Sequence, residues 1–191
     1  ETGLKLVDTE LFFLCHGDDV LCKNYVAEMY KFICEQEISY AYSNFITTDS
    51  GLTPKRFINK NDYYDKYELL DDCFTGGYLF GYSEIIPYFM PFPNGLGFED
   101  WYISIELSQQ FGGNHVNNRP LFKYRRHPDS DSMNFQNNRE KYLKLLHRNM
   151  DFLTLVRSIV SDGLSARIIE SRLQFYDAMI NHSLSKTVSV L

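Results

Sequence analysis

Residues 10–45 read ELFFLCHGDDVLCKNYVAEMYKFICEQEISYAYSNF, and this stretch sets the fold class. Glu10–Cys15 is an apolar run too short for a helix, so it predicts a buried strand. It stops at His16-Gly17-Asp18-Asp19, which reads as a loop. Tyr25, Met29, Phe32 and Ile33 then recur at helical spacing across Asn24–Gln36. Ile38–Thr47 alternates and is rich in β-branched and aromatic residues, which predicts a second strand, and Asp49-Ser50-Gly51 closes it in a turn. Strand, loop, helix and strand in that order argue for an α/β fold.

Downstream, residues 52–72 are polar and tyrosine-rich with no firm period. They predict an irregular loop with a short helix near Tyr64–Leu70. Thr75-Gly76-Gly77 opens a strand at Tyr78–Tyr82, and Ser83-Glu84 starts a short helix over Ile85–Phe89. After the loop Pro91–Gly97, the run Phe98-Glu99-Asp100-Trp101 begins another helix. Its apolar face carries Phe98, Trp101, Tyr102 and Ile105, and Gly112-Gly113 ends it. Two short strands fit His115–Asn118 and Leu121–Arg125. From Asn137 onward two amphipathic helices, split at Asp162-Gly163, predict a helical hairpin packed on the body. The expected division is therefore 1–136 and 137–191.

Composition narrows the function classes. The chain has 191 residues, a net charge of −6 and no basic block that would track a phosphate backbone, so no nucleic-acid partner is expected. No apolar run approaches the roughly 18 residues of a membrane span, so no transmembrane segment is expected either. Cys15, Cys22, Cys34 and Cys73 have no metal-finger spacing, and Cys15 and Cys34 lie in apolar runs that predict buried thiols. With no signal peptide read, a reducing, cytoplasmic setting is the expectation.

Three clusters can carry chemistry. His16-Gly17-Asp18-Asp19 follows a strand, where ligands of open α/β sheets generally bind, and its carboxylates suit a hard divalent cation. The plainer reading is a turn whose aspartates cap the next helix. Arg125-Arg126-His127 follows another predicted strand. Its guanidiniums suit phosphate and its imidazole suits a metal, or the run is a solvated basic loop. Glu99 and Asp100 stand at a helix start, where the dipole alone favours acids. Burial among Phe98 and Trp101 would raise a carboxyl pKa and the helix end would lower it.

In this order, ELFFLCHGDDVLCKNYVAEMYKFICEQEISYAYSNF, then GGYLFGYSEIIPYFMPFPNGLGFEDWYISIEL, then LFKYRRHPDSDSM resemble the family 2 glycosyltransferases of the GT-A fold, over roughly residues 10–135. The resemblance implies a GT-A-like mixed sheet flanked by helices. It also implies an inverting transfer of a sugar from a nucleotide-sugar donor to a saccharide or other hydroxyl acceptor. By position, Asp100 would be the base, with Glu99 beside it contacting the acceptor or neighbouring backbone. Asp18, Asp19 and His127 would hold Mn²⁺ or Mg²⁺. His16, Arg125 and Arg126 would face the donor diphosphate, and Gly76, Gly77 and Trp101 the acceptor. His16 stands where the family often has an aspartate. The family's amino-terminal, nucleoside-binding half has no counterpart ahead of residue 10, so the expectation is a fragment of a longer enzyme, a second chain that supplies that half, or a chain that has lost catalysis. The strand edge left exposed would also invite a homo-oligomer partner. Two alternatives remain. One is a non-catalytic carbohydrate-binding or interaction module using Tyr63, Tyr64, Phe98 and Trp101. The other is a metal-dependent hydrolase built on His16, Asp18, Asp19 and His127.

Overall fold

The computed structural model describes residues 2–75, 78–127 and 138–188, with side chains described to residue 183. It divides into two compact units, 1–127 and 128–191.

The described part of the first unit is a curled, mixed, seven-stranded sheet flanked by helices. In chain order its elements are β1 (Leu11–Phe13), β2 (Val20–Leu21), α1 (Tyr25–Gln36), β3 (Tyr40–Thr48), β4 (Pro54–Ile58), β5 (Tyr63–Asp65), β6 (Phe80–Tyr82), α2 (Glu99–Phe111) and β7 (Gly113–Arg125). The strands run β1-β6-β3-β7-β2, with β4 also beside β3 and β5 also beside β7. β3 and β7 pair in parallel and the other pairs are antiparallel.

β3 is central because both its faces are covered. Ala41 joins Tyr25, Met29 and Ile33 of α1, Phe80 of β6 and Leu121 of β7 in one apolar cluster. The neighbouring residues 40 and 42 point the other way, as alternation in a strand requires. Tyr40 donates its hydroxyl hydrogen toward Asn114 Oδ1 at 2.7 Å and the Gly113 carbonyl at 2.9 Å, and Tyr42 is buried beside the cleft described below.

The sheet curls where its register slips. β3 and β7 lose step on both sides of Asn44, which faces Pro120. Proline has no N–H for the ladder, so a slip there avoids a missing bond. The buried Asn44 side chain fills the gap, donating to the Asn118 carbonyl at 3.1 Å and to Asn59 Oδ1 at 3.2 Å. It also accepts from the Lys60 backbone N–H at 2.9 Å.

Several local expectations change. Residues 113–125 form one bent strand where two were expected. The expected loop 52–72 contains β4, β5 and a short 3-10 turn at Glu68–Leu70. Ser83–Tyr88 is likewise 3-10. α2 ends as expected on Gly112, whose φ of +93° is left-handed and suits glycine. Cys15 and Cys34 are exposed, contrary to the buried thiols expected, because Cys15 lies past the end of β1 and Cys34 lies off the face of α1 that Tyr25, Met29 and Ile33 bury.

In the second unit, α3 (Arg139–Ile159) packs on α4 (Gly163–Val188). Leu146, Phe152, Leu153 and Val156 of α3 are buried, as are Ile169, Tyr176 and Ile180 of α4. Asp162 ties the start of α4, its carboxylate accepting from the Leu164 and Ser165 backbone N–H groups and from the Ser165 hydroxyl. Among the described residues no helix is long and apolar enough to cross a membrane.

Candidate functional site

A cleft of about 480 Å³ opens where the end of β1 meets the start of α2. Its lining includes Leu4, Phe12, Cys15 and His16 from the chain's first segment, and Tyr42, Glu99, Asp100 and Ile103 from β3 and α2. Two of the three predicted clusters thus contribute to one concavity although more than eighty residues of chain separate them.

Asp100 lies in the first turn of α2, with Glu99 exposed beside it. Its Oδ1 accepts from the Trp101 backbone N–H at 2.8 Å, and its Oδ2 lies 3.8 Å from the Cys73 thiol. The two opposing influences on its pKa are resolved in favour of burial. Loss of solvent raises the carboxyl and Glu99 adds to the rise. The Trp101 N–H and the charge of His16 pull the other way without cancelling it. A half-buried, partly desolvated carboxylate at the rim of a cleft is a stronger base than a solvated one.

The acidic cluster has unequal members. His127 Nε2 lies 3.0 Å from Asp18 Oδ2, and that hydrogen bond holds the Asp18 carboxyl below its ordinary range. Asp19 turns inward. Its Oδ1 accepts from the Arg125 backbone N–H at 2.6 Å, and burial pushes its carboxyl up. Its Oδ2 is buried with no hydrogen-bond partner, and so is Arg125 Nε. The structure therefore gathers Asp18, Asp19, Arg125 and His127 at the adjoining ends of β2 and β7. Neither aspartate caps α1, whose N-cap is Asn24. His16 links this cluster to the cleft, since it lines the cleft two residues ahead of Asp18.

A divalent cation can be tested against these residues. Two carboxylates and an imidazole are suitable donors for Mn²⁺ or Mg²⁺, and an orphaned buried carboxylate oxygen is what an ion would satisfy. The donor types fit. They are not drawn into a closed cage: among the described residues, no three His, Cys, Asp or Glu side chains converge as a metal cluster.

Other expected site residues are placed differently. Trp101 is 3% exposed and its indole N–H donates to the Leu69 carbonyl at 2.6 Å, so it anchors α2 in the core and cannot present that group to an acceptor. Tyr64 is 7% exposed and stacks on Phe74, which removes it too from any saccharide-binding surface. Arg126 has an exposed side chain, while its backbone N–H donates to the Thr48 carbonyl at 2.9 Å. Gly76 and Gly77 lie outside the described residues.

Two neighbours of Asp100 carry no sequence signal. Lys60 comes from the stretch 52–72 expected to be an irregular loop, and Cys73 directly follows it. The Lys60 ammonium donates to the Thr75 carbonyl at 2.5 Å and sits 5.0 Å over the Phe45 ring. Burial lowers its pKa to about 8, against the opposing pull of Cys73 and Asp100. Only the tertiary fold brings these groups to α2. Compared with protein-family models and with curated proteins, the chain matches none.

Proposed function

We propose that this chain is the catalytic and acceptor-side part of an inverting, metal-dependent glycosyltransferase of the GT-A type. It would transfer a sugar from a nucleotide-sugar donor to a saccharide or other hydroxyl acceptor. The observation that carries this reading is the cleft that holds Asp100, Glu99 and His16 together, next to the Asp18–Asp19–His127 cluster.

In the reaction, an acceptor hydroxyl oxygen attacks the anomeric carbon of the donor. A carbon–oxygen bond forms there as the bond to the diphosphate breaks, and the electron pair leaves with the diphosphate. Asp100 takes the hydroxyl proton. Its Oδ1 is fixed by the Trp101 N–H, and the upward push on its carboxyl raises its basicity. Glu99, exposed at the same helix end, can contact the acceptor. Asp18, Asp19 and His127 would hold Mn²⁺ or Mg²⁺, which when bound supplies positive charge against the leaving diphosphate. His16 lines the cleft on that side and can donate a hydrogen bond to the diphosphate. The alternative of a non-catalytic saccharide-binding surface has less support, because Tyr64 and Trp101 are buried.

The test is sugar transfer or donor hydrolysis by the full-length form, which carries the nucleoside-binding half, with a panel of nucleotide sugars and Mn²⁺ or Mg²⁺. Loss of the general base in Asp100→Asn is expected to lower kcat by about 10²–10⁴. Undiminished activity in that variant would remove Asp100 from the chemistry. Saccharide binding with no nucleotide or metal dependence would favour the binding module instead.

A further inference from the structure

The segment Leu69–Thr75 is strapped along α2 by three contacts. Trp101 Nε1 donates to the Leu69 carbonyl at 2.6 Å, and the Thr75 and Ser104 hydroxyl oxygens lie 2.5 Å apart. Between these two tethers the Cys73 Sγ reaches Asp100 Oδ2 at 3.8 Å, within hydrogen-bond range for sulfur. The far end of the strap is held in turn. Lys60 donates to the Thr75 carbonyl, and Asn114 Nδ2 donates to Ser104 Oγ at 2.6 Å. Cys73 is itself fixed at the backbone, its N–H donating to Asp72 Oδ1 at 2.7 Å.

We propose that Cys73 is a positioning residue for Asp100, its thiol hydrogen held by Oδ2 while the Trp101 N–H holds Oδ1. This rests on Asp100 being the base. A carboxylate with one donor on each oxygen cannot swing about its own side-chain bond. Each oxygen still keeps a second lone pair, so the group can accept a proton from the cleft without losing its hold. The thiol suits this task because it is a weak donor. It orients the carboxylate while withdrawing little of its basicity, whereas an N–H or a water in the same place would lower the basicity further. The half-buried Lys60 ammonium, close enough to feel both Cys73 and Asp100, supplies the nearby positive charge.

The contact can be read without turnover. Iodoacetamide labelling of the intact chain at neutral pH is followed at Cys73 by peptide mass mapping. In Asp100→Asn the carboxylate charge that opposes thiolate formation is gone, so Cys73 is expected to label about ten-fold faster. Cys34, which lies near Tyr82, is expected to keep its rate. An unchanged rate at Cys73 overturns the thiol–carboxylate contact. In the transfer assay, Cys73→Ser keeps a donor, a stronger one that withdraws some basicity, and is expected to lose about two-fold in kcat. Cys73→Ala is expected to lose about five-fold in kcat with KM unchanged, roughly one hydrogen bond's worth. Equal effects of the two variants overturn the positioning role. A labelling response together with no sugar transfer by the full-length form would leave the contact standing and reject the proposed function.

Discussion

At the scale of single residues, Asp100 shows the tension between stability and chemistry. Its carboxyl is raised by burial, with Glu99 adding to it. A raised carboxyl means that the folded chain holds the proton more tightly than the unfolded chain does. The protonated form therefore contributes stability below the ordinary value of 3.8, and that contribution is lost as pH rises through the raised value. At neutral pH the ionised side chain is a net burden on the fold. Asp100→Asn, similar in shape and uncharged, is thus expected to raise Tm at neutral pH while lowering kcat by the same roughly 10²–10⁴. Each kcal/mol recovered is worth about 2–4 °C in a chain of this size. The gain should shrink as pH falls toward the ordinary aspartate range, where the native side chain protonates anyway. Calorimetry across that range checks this, and an equal or lower Tm in the variant at neutral pH would contradict it. The acids at the start of α2 were legible in the sequence because a Pro-Gly loop followed by helical spacing marks a helix N-terminus. Which side of α2 faced the cleft was not. Trp101 sits next to Asp100 in the chain, yet one side chain is core and the other borders the cleft.

At the scale of elements, legibility followed burial. α1, β3 and α2 repeat their apolar residues against a core, and each was readable within a few residues. β4 is exposed along nearly its whole length and begins at Pro54, so neither alternation nor composition marks it. It forms because β3 has a free edge beyond β6 for it to pair with. β7 looked like two strands because Pro120 interrupts it, and only the Asn44 side chain opposite explains how the strand continues. β6 supplies the clearest element-scale test. Gly81 pairs with Phe12 on one side and Tyr40 on the other, and a Cβ there would lie 2.8 Å from both the Ser39 carbonyl oxygen and Tyr40 Cβ. Backbone cannot yield as a flexible side chain would. Gly81→Ala is expected to cost about 1–3 kcal/mol through overpacking. Urea unfolding should show a lower midpoint at an unchanged slope. An unchanged midpoint would mean that β6 and β3 separate more freely than their pairing suggests.

At the scale of the whole molecule, the sheet poses a question about association. β1 has β6 on one side and, among the described residues, no strand on the other. Phe13 on that strand is 41% exposed, and Leu6 shortly before it is 75% exposed. The Leu11 carbonyl on this edge accepts from the Thr9 hydroxyl at 2.8 Å, but a strand edge with an apolar face is still a template for pairing with another chain, and folded proteins commonly blunt such edges with lysine or proline. The net charge of −6 opposes association, but charge repulsion at a distance is screened at physiological salt, whereas edge pairing acts at contact. Contact should therefore win as concentration rises. Sedimentation velocity is expected to show reversible, concentration-dependent self-association that persists in salt. Phe13→Lys places a charge on the edge itself and is expected to shift the equilibrium to monomer. A chain that stays monomeric at high concentration would show that β1 is too short or too twisted to pair. Association untouched by Phe13→Lys would move the contact elsewhere on the surface.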